Sequence, residues 1–255
     1  MKKRIGLVLL SVLLLLVTGC HSTYGYLQYR LEGGKAVITG YDADMQKNVS
    51  IPDTIEGCSV TTIREGAFMD CSLLVAIDIP DTVKVIEDDA FRKCRSLTEV
   101  EMGNAVTEIG NSAFAHCKKL TAITIPDSVT YLGDRVFYQC GALTTVTVGN
   151  KVKEIRKDTF NGCKNLLSAA LGAEVTTIGE HAFGGCARLT TITIPADITA
   201  IDARAFQDCK RLRDVYFAGT EADREKIKIG GDNDPLFEAT WHYGVTQAPV
   251  EEETP

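Results

Sequence analysis

The sequence predicts a β-rich solenoid, a fold in which one small unit stacks on copies of itself. Seven phenylalanines recur every 23 residues, at positions 68, 91, 114, 137, 160, 183 and 206. A cysteine follows each of them by three residues and a leucine by six. A fixed period of this length indicates units that cannot bury a core alone and therefore share one with their neighbours.

Each repeat contains a short strand after its leucine. The positions nine and eleven residues after the phenylalanine are apolar, as in Ile123 and Ile125, and the alternate positions are mostly threonine, alanine or acidic. This period-two alternation predicts a strand with one buried face. A proline or a glycine follows most of these strands, and both residue types disfavour continuation.

A second apolar pair with the pattern V-x-x-I follows each strand, as in Val106 and Ile109, and predicts a second short strand. The segment from there through the cysteine is too short for a regular α-helix. We therefore expect one helical or 3₁₀ turn at this corner. In the predicted stack, each phenylalanine lies on the phenylalanine of the next coil.

Caps are expected at both ends, because an uncovered terminal coil would expose its core and its strand edge. Residues 21–62 are predicted to form an N-terminal β-hairpin cap around Gly33-Gly34, then a partial first coil with a protruding loop near Cys58. The repeat pattern fades after Phe217, where the predicted solenoid of residues 63–217 ends, and the apolar residues that follow predict a C-terminal cap at 218–246.

The two chain ends are not predicted to join the fold. Residues 1–20 have a basic start at positions 2–4 and an apolar run at 5–17, which predicts a signal peptide. The run ends in V-T-G-C, which resembles the bacterial lipobox and implies lipidation of Cys20; an ordinary cleaved signal peptide is the alternative. Residues 247–255 are acidic and predict a disordered tail.

The repeat unit, for example V-T-E-I-G-N-S-A-F-A-H-C-K-K-L-T-A-I-T-I-P at residues 106–126, closely resembles the BspA-like leucine-rich repeats of bacterial and some protist surface proteins. The similarity extends over about residues 36–243. It implies a leucine-rich repeat solenoid, placement at the cell surface and, for some members, adhesion to host matrix proteins or other microbes. Ala169, Val136 and Thr159 depart from the repeat pattern, and we expect weaker local packing there within the same fold.

The charge limits the classes of partner. Loss of residues 1–20 would leave 24 basic and 34 acidic residues, a net charge of −10. This balance disfavours nucleic acid as a partner and a polybasic contact with the membrane. We therefore expect membrane association through the lipid anchor only.

The seven repeated cysteines occupy one structural position and predict a stacked ladder. Because an odd ladder cannot pair fully, and because pairing alternate coils would distort a uniform stack, we expect buried thiols that pack as small hydrophobic groups. Cys58 lies off the ladder and is the best candidate for a reactive thiol.

No catalytic role, cofactor or metal is predicted. The sequence contains no C-x-x-C, Walker or dinucleotide-binding motif, and none of the common hydrolase motifs. The four histidines are scattered, at positions 21, 116, 181 and 242.

The outward positions of the strand ladder form the usual binding face of a leucine-rich-repeat solenoid. A solvated face without a ligand is the alternative, since aromatic and arginine hot-spot residues are nearly absent. The second strand ladder, with Lys84, Glu108, Tyr131, Lys153 and Glu154, is an equally plausible surface. The candidate binding-face residues are Glu99, Glu101, Thr124, Thr145, Thr147, Thr191, Thr193 and Tyr216.

These observations together predict an exported, lipid-anchored surface protein whose solenoid mediates protein–protein interactions, including adhesion to host or microbial molecules. The ligand would be a protein or a glycan. The alternative is a structural spacer of the cell envelope without a specific ligand.

Overall fold

The computed structural model describes residues 22–42 and 47–246, and these residues form a solenoid of stacked coils. The predicted signal peptide, Cys20 and the acidic tail lie outside the described residues. Among the helices that are described, none is long and apolar enough to cross a membrane.

Very short strands dominate the secondary structure, and the two helices are a single turn each. In chain order the elements are β1 (Ser22–Tyr24), β2 (Leu27–Glu32), β3 (Lys35–Tyr41), β4 (Asn48–Ser50), β5 (Thr54–Ile55), β6 (Cys58–Ile63), β7 (Ala76–Ile79), β8 (Val85–Ile86), β9 (Glu99–Met102), β10 (Glu108–Ile109), β11 (Ala122–Thr124), β12 (Tyr131–Leu132), β13 (Thr145–Thr147), β14 (Glu154–Ile155), β15 (Ser168–Ala170), β16 (Thr177–Ile178), β17 (Thr191–Ile194), β18 (Ala200–Ile201), β19 (Asp214–Phe217), α1 (Glu221–Arg224), β20 (Lys228–Ile229), α2 (Asp234–Glu238) and β21 (Thr240–Tyr243).

Each full coil contributes two strands to two parallel ladders. We call the first strand of a coil the face strand (β4, β7, β9, β11, β13, β15, β17, β19, β21) and the second the back strand (β6, β8, β10, β12, β14, β16, β18, β20). Paired strand residues of the full coils are 23 positions apart, as Ala122 is from Thr145 and Thr145 from Ser168. This register confirms the predicted stack. The face ladder is interrupted between β9 and β11, and the back ladder between β12 and β14.

The corner of each coil differs from the predicted helical turn. Each corner holds two residues in the left-handed region, such as Asp89 (φ 56°) and Lys93 (φ 62°). The N–H groups of Phe91 and Lys93 donate to Ala113 and Ala115 of the next coil, both at 2.7 Å, while the intervening N–H groups close turns within their own coil. The expectation of a helical or 3₁₀ turn was wrong, because left-handed residues end a helix and direct alternate N–H groups toward the neighbouring coil.

The seven repeated phenylalanines form one continuous column. All seven are fully buried, with adjacent ring centroids 4.9–5.6 Å apart and ring planes within 3–18° of parallel. Tyr41 covers the first of them, with its ring 5.2 Å from Phe68. Each buried ring contributes about 1.5–3 kcal/mol through the area that it removes from water.

The seven repeated cysteines form a second column beside the rings, and all of them are free and buried, as predicted. From Cys94 onward, each Sγ donates to the carbonyl of the phenylalanine in the preceding coil at 3.0–3.3 Å, as Cys94 does to Phe68. Sequence reasoning missed this bond. The ladder cysteines therefore combine packing with a weak hydrogen bond between coils.

The N-terminal cap is the predicted hairpin. Strands β2 and β3 pair antiparallel around Gly33-Gly34, and β3 runs parallel to β6, so that the hairpin covers the edge of the back ladder. The expected loop near Cys58 is a second hairpin, between β5 and β6, with Glu56 and Gly57 as its left-handed turn residues. The Tyr29 hydroxyl donates to the Glu56 carboxylate, which joins the two hairpins.

The C-terminal cap continues both ladders with one irregular coil. Strand β21 pairs with β19, and β20 pairs with β18. The residues that pair here are more than 23 positions apart in the sequence, as Asp214 and Thr240 are. The buried Asn233 side chain accepts the Phe206 N–H at 2.9 Å and donates to the Asp202 and Gly230 carbonyls at 2.8 and 2.9 Å. One side chain thus provides hydrogen-bond partners for backbone groups at the last corner of the solenoid.

Candidate binding face

Outward residues of the face strands form the columns that the repeat predicts, and most of them are exposed or half-buried. Thr145 and Thr191 lie in one column, while Thr124 and Thr147 lie in the neighbouring one. The inward residues between them, including Val146, are buried. The alternation of β-branched and polar residues therefore produces a flat, hydroxyl-rich surface on one side of the solenoid.

The face ladder is split into two sheets. Strands β4, β7 and β9 form one sheet, and the strands from β11 onward form another. Glu99 and Glu101 therefore lie on a different sheet from the six other candidate residues. The strand next to them across the break, β11, carries Thr124.

A groove of about 640 Å³ follows this break and is bordered by Glu99, Glu101 and Thr124. Val100 and Met102 line it and are only partly buried, whereas the equivalent Ile123 and Ile125 of the next coil are buried. The break thus exposes apolar surface between two acidic residues and a row of threonines. Such a mixture of apolar floor and polar rim is typical of a recognition site.

The charge at this end of the face is negative. Glu101 pairs in register with Asp78 on the preceding coil, and the Ser50 hydroxyl donates to Asp78 at 2.9 Å. Glu99 and Glu101 are exposed and have no ion-pair partner among the described residues. The groove therefore favours a partner with positive charge.

Thr193 is not available as a surface residue, and this part of the prediction was wrong. It faces outward in register with Tyr216 of the next coil, but only 7% of it is exposed. The bulky ring on the adjacent strand is the physical reason, since cross-strand neighbours on one face lie within contact distance.

The last face strands hold an aromatic and charged cluster. The Tyr216 and His242 rings stack with centroids 4.7 Å apart, and His242 Nε2 lies 2.8 Å from Asp214 Oδ1. Sequence reasoning treated His242 as part of the cap, because the irregular spacing after Phe217 hides its alignment with Tyr216. The cluster is half-buried and gives this end of the face a rigid aromatic surface.

The back ladder has its own exposed residues, with Glu108 and Tyr131 in register and Glu154 on the next coil. Arg156 lies over the Tyr131 ring, 5.5 Å from its centroid, and binds Asp134 at 2.9 Å. Tyr131, Glu154 and Arg156 thus already have partners within the protein. Lys84, Glu108 and Lys153 are exposed and have no ion-pair partner among the described residues, so the back ladder also presents free charged groups.

The described residues hold few groups suited to chemistry. Among them, no three His, Cys, Asp or Glu side chains converge on a position that would hold a metal ion. Burial raises the pKa of the Cys71 thiol to about 11 and that of Cys140 to about 12. These two thiols thus remain protonated at neutral pH and are poor nucleophiles.

The fold and its exposed strand face define a leucine-rich-repeat solenoid, a class of binding scaffold. The chain belongs to the BspA-type leucine-rich repeat family, whose model matches six copies over residues 41–167 and 134–223. This result confirms the resemblance stated from the repeat unit. No curated protein matches the chain.

One solved structure shows the same fold, and others are similar in sequence over part or most of the chain. The leucine-rich repeat protein of T. pallidum, TpLRR, is 25% identical and has a TM-score of 0.61, with 83% of this chain and 86% of that chain covered. A leucine-rich repeat protein from Bacteroides capillosus ATCC 29799 is 32% identical over 50% of this chain and 97% of that one, with a TM-score of 0.46. A leucine-rich cell surface protein from Faecalibacterium prausnitzii A2-165 is 19% identical, with 92% and 100% covered and a TM-score of 0.37.

Proposed function

We propose that this protein is a lipid-anchored surface protein whose face strands bind another protein, in the manner of an adhesin. The observation that carries the proposal is the groove between β9 and β11, where half-buried Val100 and Met102 lie beside the exposed carboxylates of β9. A regular stack without a ligand would gain stability by closing this break, because closure would bury both apolar side chains and pair both strand edges.

The chemistry of the groove defines the partner that it suits. Glu99 and Glu101 favour a lysine or arginine side chain, and the apolar floor favours the aliphatic part of the same residue. The outward threonines beyond the groove extend the contact surface with small hydroxyl groups. We therefore assign the groove to a basic segment of a protein ligand and assign no catalytic step to the chain.

Binding is tested with residues 21–255, which include every described residue, on an array of purified host extracellular-matrix proteins. The double variant E99K/E101K should lose at least about tenfold in affinity for any protein that the wild type captures, because it replaces attraction by repulsion. The matched control E108K/E174K makes the same charge change at two exposed glutamates outside the groove and should retain binding.

Equal loss in both variants would contradict the groove as the binding site. Absence of any captured protein, together with an unchanged cellular phenotype of E99K/E101K, would instead support the spacer role.

Lipid anchoring is supported by the lipobox-like sequence that ends at Cys20. A bacterial host fed a radiolabelled fatty acid should label the wild-type chain and leave Cys20→Ser unlabelled. Protease treatment of intact cells should remove the labelled protein if it is displayed outside. Equal label in both chains would contradict the anchor, and protection from protease would contradict surface display.

A further inference from the structure

One border of the face strands carries a row of positive charges. Each coil passes from its corner to its face strand through a turn made by the two residues after the ladder cysteine. Seven of these turn residues are cationic and exposed. We call the six that have no ion-pair partner among the described residues the basic edge: Arg95, Lys118, Lys119, Lys164, Arg188 and Arg211.

The opposite border of the face has the opposite charge. The turns that follow the face strands carry one exposed cation, Lys151, against five acidic residues, Asp53, Asp81, Asp127, Glu174 and Asp197. In contrast, the two turn positions of the basic edge carry no acidic residue in any of the seven full coils. The face therefore lies between a basic and an acidic border, although the chain as a whole is acidic.

The cations of the basic edge have no ion-pair partner among the described residues. The adjacent Lys210 does pair, with Asp208 at 3.4 Å, and is left out of the set for that reason. At the corners, by comparison, cations pair with carboxylates of the next coil, as Arg135 does with Asp158 at 3.2 Å. Unpaired like charges on stacked coils about 5 Å apart repel one another, so the edge costs stability that an external anion would restore.

We propose that the basic edge binds a linear acidic polysaccharide laid along the axis of the solenoid. From Arg95 to Arg211 the edge extends over five coil steps, roughly 25 Å at the spacing of parallel strands. It is only one or two side chains wide. Its length and narrowness match a single polymer chain with carboxylate or sulfate groups, which lysine and arginine both bind.

The flanks of the edge exclude wider anions. Glu99 and Asp214 lie on the face side of the edge, and Asp70 and Asp208 lie at the corners on its other side. A nucleic-acid duplex or a flat anionic membrane would bring its own negative charges against these carboxylates. A single glycan chain avoids them, because it contacts only the cationic turns.

The edge also has an internal gap. In the coil between Lys119 and Lys164 the two turn residues are Gly141 and Ala142, so the cations fall into two clusters of three. Two clusters on one axis favour a polymer that reaches both over a single small anion, since binding at the second cluster becomes intramolecular.

Residues 21–255 are tested by surface plasmon resonance on immobilised heparin, which is sulfated, and polygalacturonate, which carries carboxylates, with dextran as the neutral reference. The wild type should bind at least one of the two at 50 mM NaCl and should lose affinity as the salt concentration rises. The variant K118Q/K119Q/R188Q/R211Q should bind at least about tenfold more weakly, since four exposed charge contacts are removed.

The control K84Q/K151Q/K153Q/K228Q removes the same charge from exposed lysines on other parts of the chain and should bind like the wild type. The thermal midpoint of the basic-edge variant should equal or exceed that of the wild type, because the repulsion between like charges is relieved. The same increase or equality is expected for each of the double variants K118Q/K119Q and R188Q/R211Q, measured separately.

Absence of wild-type binding to both glycans would overturn the proposal, and so would equal loss in variant and control. Stronger binding to duplex DNA or to phosphatidylserine vesicles than to either glycan would overturn the choice of polysaccharide. The face-strand variant E99K/E101K should not lose glycan affinity, so that failure of the basic edge and failure of the groove are separate results.

Discussion

Replacement of Phe137 by alanine tests the packing of the solenoid at its centre. This ring is fully buried and lies between Phe114 at 5.6 Å and Phe160 at 5.5 Å. The corner backbone on either side is bonded to its neighbours, with the Phe137 N–H donating to Thr159 at 2.8 Å. These bonds hold the walls of the resulting cavity apart.

The expected loss follows from two contributions. Burial of the side chain contributes about 1.5–3 kcal/mol, and each of the two stacked contacts adds about 0.5–1.5 kcal/mol. Because the walls of the cavity cannot move inward to fill it, little of this stabilisation is recovered. We therefore expect Phe137→Ala to lower the free energy of unfolding by about 3–5 kcal/mol.

Urea denaturation of residues 21–255, followed by circular dichroism, measures this loss. The matched control is Phe237→Ala, because that ring is 60% exposed, and its effect should stay within about 0.5 kcal/mol. A loss below about 1 kcal/mol for Phe137→Ala would refute the continuous aromatic core.

Four further predictions concern other features. In the chain without its signal peptide, iodoacetamide at pH 8 should label Cys58 in the native protein and the ladder cysteines only after denaturation, because the ladder cysteines are buried and burial raises the pKa of thiols such as Cys117 and Cys163. Gly149→Ala should destabilise by about 1–3 kcal/mol in urea, because its Cβ would lie against the backbone of the preceding coil, whereas Gly141→Ala has open space. Asn233→Ala should cost about 2–3 kcal/mol in the same assay, since buried backbone groups lose their partner. Burial and neighbouring cations lower the pKa of His116, so stability should fall as the pH drops below 6.5, and His116→Gln should reduce that slope in thermal melts.

Each of these predictions has a contradicting result. Labelling of several thiols in the native protein would contradict the buried ladder. Equal stability of the two glycine variants would contradict the close approach of the coils, and a neutral Asn233→Ala would contradict its capping role. The sign of the pH effect follows because unfolded His116 takes up a proton at a higher pH than the folded form does. An unchanged slope in His116→Gln would assign the pH dependence to other groups.

The ladders and the core could be predicted from the sequence because they depend on periodicity. Ile123 and Ile125 alternate with polar residues, and this pattern distinguishes the buried from the exposed side of a strand without further information. The phenylalanine column follows from the same logic, since stacked copies place identical residues next to one another.

The corners could not be predicted in the same way. Lys93, His116 and Gln139 adopt left-handed conformations that such residues seldom occupy, and their side chains carry no signal for it. The conformation is imposed by the bonds between coils and not by local preference. In later coils the equivalent positions are occupied by Gly162 and Gly185. Glycine does indicate a left-handed conformation, but the other copies have no glycine at this position.

The details of the face depend on departures from the repeat. The coils on both sides of the groove share the same pattern, so the break between Met102 and Ala122 leaves no trace in the period. Burial of Thr193 depends on the single large neighbour Tyr216, and the stack of Tyr216 on His242 depends on an irregular interval in the cap. Such features require coordinates, because they arise from individual neighbours.

A crystal structure of residues 21–255 tests the central claim most directly, through the positions of the seven repeated phenylalanine rings. We expect one column with adjacent centroids 4.9–5.6 Å apart and face strands paired at intervals of 23 residues. Rings distributed among separate cores, or strands paired at another interval, would contradict the account.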